Sequence, residues 1–268
     1  MEKITEKRVV IVTGASSGIG SAVCKYFSGK GLTVYGLSRR TFEEKGVVSL
    51  SCDVTNKAQS QETLEQIWQK EKRIDLLVNN AGFGISGSVE NESLEDIEKM
   101  FKVNFFGVVN MTQLVLPYMR QQGFGKIINT SSVAGIIPIP FQSFYSATKA
   151  SVDIFAKALR MEVKPFNISV CNVLVGDTKT NFTSKREKSS KDENSVYETV
   201  VKKSISKMEK DEQNGKDPIT VARVMFKMFN KKNMPATKTV GGMYKTILFL
   251  EKILPQKLML FIVGKMYS

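Results

Sequence analysis

The segment FYSATKASVD, residues 144–153, places Tyr145 and Lys149 four positions apart. That spacing puts two side chains on one face of a helix. The chain contains no histidine, so proton transfer near neutral pH has to use other groups. A phenol and an ammonium, with reference pKa values near ~10 and ~10.4, are poor acid–base catalysts singly. A cation beside a phenol favours the phenolate, so the two together can approach a useful range. Standing alone, the pair is also what any piece of helix surface can look like.

A second chemical feature lies near the N-terminus. VVIVTGASSGIGSAV, residues 9–23, reads as a strand, a glycine-rich turn and a helix start, with the spacing Gly14-x3-Gly18-x-Gly20. Glycines permit a tight turn and close backbone approach, and a helix N-terminus offers free N–H groups and positive dipole to a pyrophosphate. Gly14, Ser16, Ser17, Gly18, Ile19 and Gly20 are therefore candidate dinucleotide-binding residues; a purely structural turn is the plainer alternative. About twenty residues on, the second strand ends in GLSRRT. A free ribose 2′-OH is usually met there by an acid, whereas Ser38, Arg39 and Arg40 suit a 2′-phosphate. NADP(H) is favoured over NAD(H), against the alternative of two arginines that merely face solvent.

Elements must exist to position these groups. Near-continuous apolar runs at 8–14, 32–38, 47–54, 74–82, 125–132 and 168–176 read as strands of a parallel sheet covered on both faces. Helical patterns fall at 18–29, 58–72, 93–120 and 144–163. The alternation predicts right-handed crossovers and an α/β fold: a doubly wound, Rossmann-like parallel sheet forming a single domain over 1–268 with a C-terminal helical extension. Past Gly176 the alternation fades. Residues 185–216 carry nine positive and seven negative charges, and 181–216 is expected to be a mobile, largely helical cover for a substrate. Residues 244–268 are apolar but broken by Glu251, Lys252, Pro255 and Lys257. Two short amphipathic helices hinged at Pro255 fit them better than a span of the ~18–20 apolar residues a membrane crossing needs.

The composition, 42% apolar and 24% charged over 268 residues, allows a sizeable core. Cys24, Cys52 and Cys171 lie far apart without metal-ligand spacing, so no metal site is expected and reduced, buried thiols in a cytoplasm-like compartment are. MEKITEKRVVIVTG shows no signal-peptide pattern. The net charge is +13, and from Val221 to Ser268 nine basic residues meet a single acid, Glu251. That excess fits a solvated basic face, an anionic lipid surface or a negatively charged substrate. Nucleic acid is not expected, because no recognition motif accompanies the charge.

From about Arg8 to Phe182 the chain resembles the short-chain dehydrogenase/reductase family. The resemblance rests on TGASSGIG (13–20), NNAG (79–82), Asn104 in MFKVNFFG, NTSSVAG (129–135) and YSATK (145–149), in that order. It implies that Tyr145 is the general acid in carbonyl reduction and the base in alcohol oxidation. Lys149 would bind the nicotinamide ribose and lower the tyrosine pKa. Ser132 would orient the carbonyl, with Ser131 the less favoured choice, and Asn104 would hold a water linking Lys149 to solvent. Asp53, with Val54, would lie beside the adenine, and Asn80, Ala81 and Gly82 along the cofactor. Thr180 would contact the carboxamide, and Thr178 would add a backbone contact. Where the family usually has Pro-Gly after the sixth strand, this chain has Val175-Gly176, so that loop is expected to be less rigid. Homodimers or tetramers are usual in the family.

Beyond Gly176 the run PATKTVGGMYKTILFLEKILPQKLMLFIVGKMY is similar to the tails of 17β-hydroxysteroid and retinol dehydrogenase-like members. Six of the twelve methionines fall in the last 48 residues, and flexible thioethers suit either an adaptable pocket or core gap-filling. The expectation is an NADP(H)-dependent oxidoreductase acting on a small, bulky, apolar carbonyl or alcohol, steroid- or lipid-like. One alternative is a ketone reductase of lipid synthesis at a membrane surface, taking acyl-dihydroxyacetone phosphate or a sphingoid ketone, with the basic tail making peripheral membrane contact. Another is a catalytically idle NADP-sensing regulator.

Overall fold

The structure, a computed structural model, describes residues 7–184 and 186–267; residues 1–6 of the N-terminal segment, Lys185 of the 181–216 segment and Ser268 of the tail lie outside the described residues. The strands are β1 (Val9–Thr13), β2 (Thr33–Ser38), β3 (Val47–Ser51), β4 (Leu76–Asn79), β5 (Ile85–Ser86), β6 (Gly125–Ser132), β7 (Ile168–Val175), β8 (Glu187–Lys188) and β9 (Thr237–Thr239). The helices are α1 (Gly18–Ser28), α2 (Lys57–Glu71), α3 (Leu94–Phe101), α4 (Gly107–Gln122), α5 (Ser143–Glu162), α6 (Glu198–Gln213), α7 (Pro218–Phe229), α8 (Gly242–Ile253) and α9 (Gln256–Tyr267).

Seven strands form one parallel sheet in the order β3-β2-β1-β4-β6-β7-β9. Its centre is buried on both faces, which is why β1 and β4 are buried throughout. Alternation sends Val10 and Val12 to one face, against Val23 and Phe27 of α1 and Met225 and Phe229 of α7. Val9 and Ile11 go to the other, against Leu64 and Ile67 of α2, Met111 and Val115 of α4 and Ala156 of α5. Phe27 is fully buried and meets the Phe226 ring edge-on at 5.3 Å. Truncating such a side chain to alanine costs about 3–5 kcal/mol. The fold is the doubly wound single domain that the alternation implies, closed by C-terminal helices.

Two local departures bear on the site. The 93–120 pattern is not one α-helix: a π-helical turn, Lys102–Phe106, separates α3 from α4. Such turns are frequent at functional positions, and Asn104 sits in this one, fully buried. Beneath the strand ends, side-chain amides form a buried ladder across the sheet. Asn79 donates to Asn129 at 2.9 Å, Asn129 to Asn172 at 3.0 Å, and Asn172 to Asp153 of α5 at 3.0 Å. It ties α5, which carries Tyr145 and Lys149, to three adjacent strands.

Four of the six C-terminal methionines pack inward: Met225, Met228 and Met234 in the sheet's core and Met259 on the inner face of the tail. Gap-filling accounts for these, whereas Met243 and Met266 stay more than half exposed or at half exposure. The 181–216 segment has anchors of its own. β8 pairs with β5, Asp192 accepts from Ser88 and Asn91, and α6 buries Val201, Ile205 and Met208 beside Ile139 and Phe141.

Candidate active site

All the chemistry-bearing groups gather at the C-terminal edge of the sheet, where open α/β folds bind ligands. Between β1 and α1 the chain turns through Gly14, whose φ of +64° is the left-handed region that glycine tolerates. A Cβ at Gly20 would collide with the Gly14 carbonyl, so the first turn of α1 can lie against the loop only because Gly20 has none. Ser17 caps α1 without a side-chain hydrogen bond, leaving the helix start to backbone N–H groups. The loop is braced from β4: the Asn80 amide donates to the carbonyls of Thr13 and Gly14 at 3.1 and 3.3 Å, and Thr13 Oγ1 accepts from the N–H groups of Asn80 and Ala81. This is a built anion cradle.

At the end of β2, Ser38 Oγ donates to the Arg40 carbonyl at 2.5 Å and Ser51 Oγ to the Arg39 carbonyl at 3.2 Å. The backbone is thereby fixed while both guanidinium groups stay exposed, with no ion-pair partner among the described residues. Across the cleft the Asp53 carboxylate is held by the Thr55 N–H and hydroxyl at 2.9 and 2.7 Å.

On α5, Lys149 is buried, and its Nζ donates to the Thr130 carbonyl at 3.0 Å and lies 5.7 Å from the centre of the Tyr145 ring. Burial pushes Lys149 down to about 8. Tyr145 is pushed up to about 12, chiefly by burial; the Ser132 hydroxyl and Arg186 pull it down, and Glu212 pushes it up. Lys149, expected to lower the tyrosine, is not among the groups that shift it, and desolvation of the phenolate dominates. Asn104 donates to the Phe83 carbonyl at 2.9 Å and to Thr148 Oγ1 at 3.2 Å, and accepts from the Phe83 N–H at 3.0 Å. Thr148 in turn donates to the Tyr145 carbonyl at 2.7 Å. Ser132 ends β6 and caps a short 3-10 turn, accepting from the Ala134 N–H at 3.1 Å. Its neighbour Ser131 carries a buried hydroxyl without a partner among the described residues.

Past β7, the Val175-Gly176 loop is not left loose. A Cβ at Gly176 would run into the Tyr244 ring of α8, and the Tyr244 hydroxyl accepts from the Asp177 N–H at 3.0 Å and donates to the Asp177 carboxylate. A clamp from the tail thus stands where the family's proline would have stiffened the chain. Thr180 lies over Gly18, and Thr178 Oγ1 donates to the Gly176 carbonyl at 3.0 Å. Phe182 brings its ring to 5.7 Å from that of Tyr145, and Arg186 behind it pairs with Glu212.

One continuous cleft of about 1530 Å³ connects these groups. It is lined by Gly14, Ser16, Ser17, Gly18, Ile19, Ser38, Arg39, Arg40, Asp53, Val54, Asn80, Ala81 and Gly82, and further along by Ser132, Tyr145, Lys149, Thr178 and Thr180. Gly20 and Asn104 do not line it; they lie behind the wall and shape it. The cleft then runs on between Phe182, Glu212 and the inner sides of α8 and α9. The residues fit a bound dinucleotide: a cradle that a Cβ would fill, two exposed cations at the end of β2 and, among the described residues, an orphaned hydroxyl at Ser131. Phe182, Thr130, Thr148 and Tyr244 escaped the sequence reading. Thr130 and Thr148 lie within quoted motifs, whereas nothing local marks Phe182 or Tyr244.

A family model described as short chain dehydrogenase matches residues 8–191. The chain is 40% identical over 266 residues to a 3-ketodihydrosphingosine reductase of Bacteroides thetaiotaomicron, covering 98% of this chain and 99% of that one. It is 33% identical over 192 residues to an NADPH-dependent 1-acyldihydroxyacetone phosphate reductase of Saccharomyces cerevisiae, covering 67% of this chain and 64% of that protein. A solved short-chain dehydrogenase from Streptomyces avermitilis is similar at a TM-score of 0.83 and 28% identity, over 99% of this chain and 98% of the other.

Proposed function

The chain belongs to the short-chain dehydrogenase/reductase family, oxidoreductases that interconvert hydroxyl and carbonyl groups, and from that premise we propose that it reduces the ketone of a long-chain lipid with NADPH. The observation that carries the reading is the single cleft, which joins the anion cradle to Tyr145 and then to apolar side chains of the tail helices. A long aliphatic substrate could lie along that tail wall with its carbonyl at Tyr145. The similarity to a sphingoid ketone reductase runs through the tail as well as the sheet, which supports the lipid alternative over the steroid one. The exposed guanidinium groups of Arg39 and Arg40 support NADP(H) as the cofactor.

When bound, the cofactor supplies the hydride. The chain supplies the rest. Tyr145 is the proton donor to the developing alkoxide, and Ser132 hydrogen-bonds the same oxygen and holds it in place. Lys149, charged below about pH 8, binds the ribose and favours the phenolate that remains after transfer. The side-chain amide of Asn104 is spent on Phe83 and Thr148, so its backbone carbonyl is the group through which it would hold a water for Lys149. Residues 181–216, with Phe182 facing Tyr145, are the substrate-side cover.

The test is NADPH consumption with three ketones: a long-chain 2-amino-3-ketone, an acylated dihydroxyacetone phosphate and a ketosteroid. The first is expected to turn over fastest in the wild type and to fail with Tyr145→Phe. Steroid turnover alone would reject the lipid reading. NADPH binding without turnover of any of the three would favour a sensor.

A further inference from the structure

The outer faces of α8 and α9 carry a surface that the reductase chemistry does not use. Phe249, Ile253, Leu258 and Phe261 project from these two helices, each at least 43% exposed. Phe249 and Ile253 are four apart on α8, and Leu258 and Phe261 three apart on α9, so each pair shares a helix face. Single exposed apolar residues are ordinary, whereas a run of them along two consecutive helices is not. Lys245, Lys252, Lys257 and Lys265 rise from the same helices and are all exposed. The one acid among them, Glu251, is half-buried at the hinge beside Leu254 and Met259.

The inner faces are committed elsewhere. Leu248, Met259 and Val263 pack on Val133, Ile137 and Leu174, which seats the pair on the edge of the site. Between the two faces, Leu250, Ile262 and Met266 are both solvent-exposed and part of the cleft wall. The mouth of the cleft therefore opens through the same apolar, lysine-bearing surface.

We propose that α8 and α9 dock the protein on an anionic lipid surface, with the cleft mouth held against it so that an apolar substrate enters directly from the lipid. No helix among the described residues is long and apolar enough to cross a membrane, and twelve residues of helix extend only about 18 Å. The pair lies on the surface, its apolar residues inserted and its lysines at the headgroups. Charge selects the occupant. A second copy meeting this face in a two-fold contact would set lysine against lysine, whereas anionic headgroups complement them.

Flotation of the full chain with phosphatidylcholine vesicles, with and without phosphatidylserine, tests the proposal. The wild type is expected to float only with phosphatidylserine present and to be released by salt. Lys252→Glu combined with Lys257→Glu, and separately Phe249→Ser combined with Phe261→Ser, should each lower vesicle binding at least about tenfold. Neither pair lines the cleft, so NADPH-dependent turnover of a water-soluble ketone should stay unchanged and show that the variants fold. A wild type that ignores phosphatidylserine, or variants that float as well as it does, would overturn the assignment. So would variants that change only the oligomeric state, because the face would then serve self-association. Flotation needs no turnover, so its failure leaves the reductase reading standing.

Discussion

Tyr244, near the start of α8, closes on Asp177, two residues past β7: its hydroxyl takes the Asp177 N–H at 3.0 Å and gives its own proton to the Asp177 carboxylate. This contact bridges 67 residues of sequence and joins the cleft's apolar wall to the loop beside the reacting groups. Burial, with Asp211 and Glu212, holds the Asp177 carboxyl above the usual range, while the Tyr244 hydrogen bond and Lys207 oppose them.

Tyr244→Phe keeps the ring against Gly176 and removes only the hydroxyl. The half-buried Asp177 carboxylate then loses its donor, at a cost of about 1–3 kcal/mol. A lower melting temperature is expected, with KM for a long-chain ketone rising more than kcat falls. Thermal denaturation and steady-state kinetics check both; an unchanged melting temperature would remove the clamp from the account.

Tyr145→Phe removes the proton donor and leaves the cradle intact. Reduction should fall by about 10²–10⁴, the range of a lost general acid, while NADPH affinity measured by fluorescence titration holds. Appreciable residual turnover would mean that another group, Ser132 being nearest in role, donates the proton.

The pH profile should follow Lys149 rather than Tyr145. Tyr145 is pushed up to about 12 and keeps its proton across the working range, whereas Lys149, pushed down to about 8, is a cation only below that pH. As pH rises through about 8 the ammonium loses its proton, so kcat/KM for reduction should be level below it and decline above. In Lys149→Arg, whose guanidinium stays charged, the decline should move to higher pH. A profile identical in both proteins would assign the limb to another group.

Arg39→Asp replaces a cation that suits a 2′-phosphate by an acid that suits a 2′-hydroxyl. The ratio of kcat/KM for NADPH to that for NADH should reverse in favour of NADH. An unaltered ratio would shift the 2′-phosphate assignment to Arg40 or elsewhere.

These tests draw on two kinds of information, and only one was readable along the chain. The glycine loop, the Tyr145–Lys149 spacing and the apolar strands are local, so their types and intervals carry their meaning. Asn104 was readable as a motif residue, but the π turn that holds it was not, because one extra residue barely disturbs the apolar pattern of a long helix. The tail was readable as two amphipathic helices hinged at Pro255. That they wall the cleft depends on Leu248 and Val263 packing on Leu174 of β7, a contact no periodicity encodes. The amide ladder from Asn79 to Asp153 is invisible for the same reason: each asparagine in its own strand looks like a polar interruption. The direction of the Tyr145 shift also eluded the sequence, since it is set by how completely the ring is desolvated.

Glu92 gives a stability test independent of catalysis. Burial first, and then Asp96, Asp192 and Glu187, push its carboxyl up to about 7, with Lys191 opposing them. Its Oε1 is buried without a partner among the described residues. An unfolded glutamate ionises near ~4.3, so between that pH and about 7 the unfolded chain releases a proton that the folded chain keeps. Stability tied to this group is complete below the lower value and drains away as pH rises through the upper one. Glu92→Gln cannot ionise, so its melting temperature should match the wild type near pH ~4 and exceed it increasingly up to pH ~7, then by a constant margin. Thermal melts of both proteins across that range decide the matter; parallel curves would show that Glu92 is solvated and that its surroundings cost nothing.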